Sequence, residues 1–226
     1  MWKKNMSSLD FAKIVEILGM GEKIPGHYTA RENLNSENYV FFHIIGDAGN
    51  IIGEAEDGMK NIYSEDGRHD SEVGIYLPDV DVYEYSDMEE KRNPIVSTMV
   101  MDHIGELIGM MYLQEMPIVR AVYSVLHEVG HWVDFINSGK TPWEYAVKER
   151  EERKDLNQMA VCIKQLPDID PRKYMLEKDY HKKYRELPSE SAADQYADKH
   201  LVEALGKIRV ACGYTEEDLQ KMMFEE

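Results

Sequence analysis

The spacing of apolar residues divides the chain near residue 115. Before that point, short runs rich in β-branched and aromatic residues are separated by Gly, Asp, Asn and Pro, a pattern typical of strands joined by turns. Three such runs are predicted as strands, at residues 39–45, 73–77 and 95–101. After residue 115, apolar residues recur at helical spacing almost throughout. The pattern predicts one domain over residues 1–226, with a mixed portion at 1–115 and a helical portion at 116–226.

The clearest predicted helix runs from Pro117 to about Gly139. Proline is suited to the first turn of a helix, and an Asn-Ser-Gly run is typical of a helix end. The apolar positions of this helix are Ile118, Val119, Val122, Val125, Leu126, Val129, Val133 and Ile136. Further helix starts are predicted at Thr141-Pro142-Trp143-Glu144, Asp170-Pro171 and 215–218. These elements predict an α+β fold, in which a small twisted sheet packs on the helix from Pro117 and a helical lobe follows.

The chain is acidic, with a formal net charge of −17 over 226 residues. A phosphate backbone would be repelled, so direct binding of nucleic acid is not expected. The charge favours a basic partner or a basic substrate segment, although solubility alone also explains it. No apolar run approaches the length needed to span a membrane, so no membrane partner is expected.

The cysteines and the N-terminal residues indicate where in the cell the protein is expected. Cys162 and Cys212, the two cysteines, each stand alone in a helix-like segment and are predicted to be reduced core residues. The segment from Leu9 to Met20 is interrupted by charged residues and is predicted as an amphipathic helix, since it lacks the apolar core of a signal peptide. Both observations favour a cytoplasmic protein.

The helix from Pro117 contains the run His127-Glu128-Val129-Gly130-His131. Two histidines four residues apart project from one helical face, so both imidazoles can reach a single tetrahedral zinc ion. Glu128 is turned about 100° around the helix. It is therefore poorly placed as a ligand but well placed to act as general base toward a water molecule at the metal. The spacing predicts a zinc-dependent hydrolase, and a peptidase in particular.

A catalytic zinc of this kind needs a third protein ligand. One known arrangement uses a histidine six residues after the second motif histidine, but that position is Asn137. A better candidate is Glu190, in a second helix-like stretch at 187–197 that carries small residues suited to a close helix approach. Asp194 lies four residues later on the same face, where it can accept the distal N–H of a ligand histidine and fix its orientation.

The sequence also leaves other third ligands open. Asp134 follows His131 by three residues and lies toward the metal-facing side of its helix, so it could bind the metal, support a ligand through a hydrogen bond, or pair with a Lys or Arg. His181 and His200 are further candidates, because sequence constrains ligand spacing across helices only weakly.

The His-Glu-x-x-His helix followed by Glu190-Ser191-Ala192-Ala193-Asp194-Gln195-Tyr196-Ala197 resembles the gluzincin metallopeptidases. In particular it is similar to the small ImmA/IrrE-type peptidases of bacteria and their phages. The resemblance implies a zincin-like fold, with His127, His131 and Glu190 as zinc ligands and Glu128 as base. Asp194 would be the carboxylate that supports a ligand histidine.

The resemblance also suggests how substrate would be handled. Gluzincins often use a Tyr or His to stabilise the oxyanion, and Tyr184, six residues before Glu190, is the candidate here. Zincins pair an extended substrate with an edge strand, for which 95–101 is the candidate. The expected function is a zinc metallopeptidase acting on a specific protein. The alternative is a catalytically weak regulatory protein of the same fold, which would act through protein–protein interaction.

Overall fold

The structure is a computed structural model that describes residues 9–20, 29–30, 41–43, 74–78, 80–108, 115–167, 169–213 and 215. Most of this part of the chain is helical. Its helices are α1 (Phe11–Leu18), α2 (Val82–Arg92), α3 (Pro94–Ile108), α4 (Met116–Ser138), α5 (Pro142–Lys164), α6 (Pro171–Arg185) and α7 (Pro188–Ala211).

The strands of the described part are short: β1 (Thr29–Ala30), β2 (Phe41–His43) and β3 (Gly74–Leu77). The central strand β3 pairs parallel to β1 and antiparallel to β2. With strands of two, three and four residues, the sheet is a small part of the described chain. The predicted α+β fold, with a sheet packed on the motif helix, is therefore wrong. The described part is mostly helical, and α4 makes its most extensive contacts with α7.

The predicted strand at 95–101 lies inside α3. Asn93 starts this helix, because its side-chain oxygen accepts the backbone N–H of Val96 at 3.2 Å, and Pro94 follows at the first helical position. One side of the helix is buried, at Ser97, Ile104 and Ile108. The β-branched residues of the segment favour a strand only when neighbouring strands are present to pack against. The proposed edge strand for substrate binding is thus a helix.

The motif helix α4 is buried over most of its surface and packs closely against α7. It ends at Gly139, which has the left-handed conformation with φ 62°. At Gly130 the two helices approach so closely that an added Cβ would lie 2.6 Å from Cα and 2.7 Å from the carbonyl oxygen of Ala193. The small residues at both positions therefore set the distance between the helices.

The helices after α4 begin where the sequence predicts. Thr141 and Glu144 form a capping box at the start of α5, with mutual contacts of 3.3 and 2.9 Å. Asp170 accepts the backbone N–H of Arg172 at the start of α6. Of the predicted start at 215–218, Thr215 is not helical and the other three residues lie outside the described part.

The two cysteines differ in burial. Both are free thiols, but only Cys212 is buried, whereas Cys162 is exposed on α5. The prediction that both are core residues is wrong for Cys162, because it lies on the outer face of its helix. Among the described helices, none is long and apolar enough to cross a membrane.

Candidate metal centre

Three potential ligand atoms converge between α4 and α7. Nε2 of His127 lies 3.2 Å from Nε2 of His131. Oε2 of Glu190 lies 3.4 Å from the first nitrogen and 3.6 Å from the second. All three residues are buried, at 8%, 6% and 2% exposure respectively. The group brings together the two histidines of α4 and the glutamate of α7, as the helical spacing predicts.

These separations fit a single metal ion. With metal–ligand bonds of about 2.0–2.2 Å and tetrahedral angles, neighbouring ligand atoms lie about 3.3–3.6 Å apart. The observed triangle has edges of 3.2, 3.4 and 3.6 Å. Two imidazoles and one carboxylate are also a common donor set for a divalent transition metal. The His127, His131 and Glu190 group could therefore hold a metal ion.

Asp194 lies behind His127, on the side away from the other two candidate ligands. Its Oδ1 is 2.9 Å from Nδ1 of His127. Arg185 forms an ion pair with the same oxygen, and the hydroxyl of Tyr123 lies 3.3 Å from it. The Nδ1–H of His127 thus donates to a carboxylate that is itself fixed by two neighbours, which leaves Nε2 directed at the ligand triangle.

The electrostatics of His127 reflect these carboxylates. Burial alone would lower its pKa. Hydrogen bonds to Asp194 and Glu190, with the charge of Glu128, outweigh burial and raise the pKa to about 9. For the carboxyl group of Glu190, the same two influences act on the pKa in the opposite directions. Burial raises its pKa, but hydrogen bonds from His127 and His131 hold it far below its usual range. The metal-free site is therefore an ionised carboxylate facing a protonated imidazole.

The predicted catalytic residues lie beside this group. Glu128 is partly exposed, and its charge raises the pKa of both His127 and Tyr184. Tyr184, from the last turn of α6, is hydrogen-bonded to Glu190. Burial and the negative charge of Glu190 raise the pKa of Tyr184 well above its usual value. Its phenol therefore stays protonated at neutral pH and can donate a hydrogen bond.

The rival ligands lie elsewhere. Asp134 accepts hydrogen bonds from the hydroxyl of Tyr145 at 2.6 Å and from the ammonium group of Lys148 at 3.1 Å, so it faces α5. His181 contacts the side chain of Asn93 at 3.3 Å. His200 packs against the ring of Tyr196, with centroids 4.4 Å apart. Among the described residues, these three are not part of the ligand group.

A cavity of about 420 Å³ opens next to the ligand group. One wall is an apolar face of α3, and the other is formed by α6. Asp194 and Tyr184 line it, and these residues contact His127 and Glu190 respectively. Val96, Met99 and Val100 of α3 and Tyr180 of α6 also line it. The segment mispredicted as a strand therefore still borders the site, as a helix.

Two charged residues of α5 were not predicted. Nη2 of Arg153 donates to Oε1 of Glu190 at 3.1 Å. Burial raises the pKa of Glu149, and the positive charge of Arg153 partly offsets this. In sequence, Glu149 and Arg153 have the four-residue spacing of an ordinary surface ion pair on a helix. That spacing alone does not predict that Arg153 contacts a residue of α7.

Comparisons with known proteins identify no relative of the chain. No protein-family model matches the chain, and neither a curated protein nor a solved structure matches it. The likeness to gluzincins thus consists of the two helical motifs, and the structure adds that those motifs form one buried group able to hold a metal ion.

Proposed function

We propose that the protein is a zinc-dependent metallopeptidase that hydrolyses peptide bonds of a protein substrate. The observation that supports this most strongly is the triangle of His127, His131 and Glu190, with ligand atoms 3.2–3.6 Å apart. Three protein ligands leave a fourth position for water or substrate, which distinguishes catalytic from structural zinc sites. Two nitrogens and one oxygen also favour zinc over the hard cations calcium and magnesium, which prefer oxygen ligands.

The chain supplies an acid–base group and an electrophilic group for hydrolysis. When bound, zinc is a Lewis acid that polarises the scissile carbonyl and lowers the pKa of a coordinated water molecule. Glu128 accepts a proton from the attacking water and passes it to the leaving nitrogen. Tyr184 keeps its proton at neutral pH, so its hydroxyl can donate to the developing oxyanion. Asp194 holds the His127 ring in the orientation that directs Nε2 toward the ligand group.

The cavity beside the site supports a peptide as substrate. Val96, Met99 and Val100 give one wall an apolar surface, which suits a substrate side chain next to the scissile bond. The chain's net charge of −17 favours basic segments near the cleaved bond through long-range attraction.

The experiment is a cleavage assay with wild type and Glu128→Gln, each loaded with zinc and incubated with a complex peptide mixture. Mass spectrometry then detects new peptide termini. We expect termini from the wild type and a loss of at least about 100-fold in Glu128→Gln, since general-base catalysis contributes about 10²–10⁴-fold. Both proteins should contain equal zinc, because Glu128 is not a ligand. Equal cleavage by both would contradict the role of Glu128. No cleavage by a zinc-loaded wild type would favour the regulatory alternative.

A further inference from the structure

The two carboxylate oxygens of Glu190 face different neighbours. Oε2 lies within 3.4–3.6 Å of the two histidine Nε2 atoms. Oε1 instead accepts a hydrogen bond from Nη2 of Arg153 at 3.1 Å. The Glu190 side chain is 3% exposed, so water does not compete for either oxygen. The two oxygens are therefore distinguished by the fold before any metal binds.

Arg153 is itself held in place by neighbours on α5 and α6. Its Nη2 lies 3.8 Å from Oε1 of Glu149, one helical turn earlier. Its guanidinium carbon lies 5.4 Å from the ring centroid of Tyr184. These contacts limit the positions that the guanidinium group can adopt, and they keep it against Oε1 of Glu190.

The adjacent residue on α5 reinforces this arrangement. Helix α7 has no side-chain cap of its own, and Oε2 of Glu152 accepts the backbone N–H of Ser189 in its first turn at 3.3 Å. Two consecutive residues of α5 thus contact the N-terminal turn of α7, one at the backbone and one at the Glu190 carboxylate. The position of that turn relative to α5 is fixed by both contacts.

A carboxylate can bind a metal ion through one oxygen or through both. A guanidinium N–H directed at one oxygen occupies a lone pair and places positive charge beside it. A metal cation approaching that oxygen would meet both effects, whereas the other oxygen remains available. Removing the guanidinium group would make the two oxygens equivalent toward the metal.

We infer that Arg153 is a positioning residue that restricts Glu190 to metal binding through Oε2 alone, so that the metal has three protein ligand atoms and one open position, four in all, and does not gain Oε1 as a fifth ligand. The inference rests on the proposed function, because it assumes that the three-residue group binds a catalytic metal. An ordinary ion pair between Arg153 and Glu190 would affect stability only, whereas this role also affects the coordination number of the metal.

The test uses cobalt(II) as a spectroscopic substitute for zinc, bound to purified full-length protein. Four-coordinate cobalt absorbs visible light several-fold more strongly than five-coordinate cobalt. The variants are Arg153→Met, which removes the charge and the donors, and Arg153→Lys, which retains the charge and one donor direction. Lys154→Met is the matched control, since it removes a positive charge from the exposed neighbouring position.

We expect strong, four-coordinate spectra for wild type, Arg153→Lys and Lys154→Met, and a several-fold weaker, five-coordinate spectrum for Arg153→Met at equal metal content. Circular dichroism checks folding, and Arg153→Gln takes the place of Arg153→Met if that variant does not fold. A four-coordinate spectrum for the uncharged variant would overturn the role of Arg153 and leave the metal site standing. Failure of the wild type to bind cobalt would overturn the metal site as well.

Discussion

At the residue scale, the two ring nitrogens of His127 have different partners. This difference explains how Asp194 supports a candidate ligand without belonging to the ligand group itself. Nδ1 contacts the Asp194 carboxylate at 2.9 Å, and Nε2 faces the candidate ligand group. A carboxylate on the distal nitrogen fixes the tautomer and increases the basicity of the ligand nitrogen. The spacing of Glu190 and Asp194 was enough to predict this pairing, because residues four apart share a helical face.

Replacement of Asp194 tests this support. We expect Asp194→Asn to weaken zinc binding by about 10–100-fold, since the charge that orients His127 is lost. Competition against a chelator of known affinity measures the change. Asp198→Asn is the control, because Asp198 lies one turn later and contacts His103 at 2.8 Å rather than a candidate ligand. If both variants weaken zinc binding equally, the effect is not specific to His127.

The raised pKa of His127 predicts that zinc binding releases a proton. Near pH 7 the metal-free imidazole is protonated, because its pKa is about 9. A ligand histidine must be neutral, so zinc displaces that proton and affinity rises by up to about tenfold per pH unit until pH approaches the pKa. Calorimetry in buffers of different ionisation enthalpy measures the proton count. Zinc affinity that is constant between pH 6 and 8 would contradict the prediction.

At the scale of elements, α4 and α7 carry the site, and their separation depends on small residues. The sequence predicted both helices and their close approach, because apolar spacing, proline starts and small residues are local signals. It did not predict α3, where β-branched residues favoured a strand. It also did not predict the contact of Arg153 with Glu190. Both features depend on tertiary packing between distant parts of the chain, which a local pattern does not contain.

The α4–α7 approach can be tested at Gly130. An added methyl group would overlap the Ala193 backbone at 2.6–2.7 Å, so we expect Gly130→Ala to destabilise the protein by about 1–3 kcal/mol. Displacement of α7 should also weaken zinc binding, because α7 supplies Glu190. Denaturant unfolding of the metal-free proteins gives the stability difference.

Gly206→Ala is the matched control for that experiment. Gly206 lies within α7, and an added Cβ there meets nothing within 4 Å. Alanine has the higher helix propensity, so we expect a gain of about 0.5–1 kcal/mol and unchanged zinc affinity. A Gly130→Ala variant as stable as wild type would show that the two helices can separate without cost.

At the scale of the whole molecule, the site joins segments far apart in the chain. Helix α4 supplies two candidate ligands, α7 the third and its supporting carboxylate, α5 the guanidinium group on Glu190, and α6 the phenol. Metal bound to this group would link α4 to α7. Sequence motifs predicted the α4 and α7 contributions, whereas the position of α5 follows from contacts such as Lys148 with Asp134, at 3.1 Å.

The most direct test of the account is the zinc content of purified wild type, Glu190→Ala and Asp134→Ala, measured by elemental analysis after growth with added zinc. We expect one zinc per chain in the wild type and in Asp134→Ala, because Asp134 faces α5, and a sharp loss in Glu190→Ala. Full zinc content in Glu190→Ala would contradict the three-residue site. An absence of zinc from the wild type would contradict the metallopeptidase proposal itself.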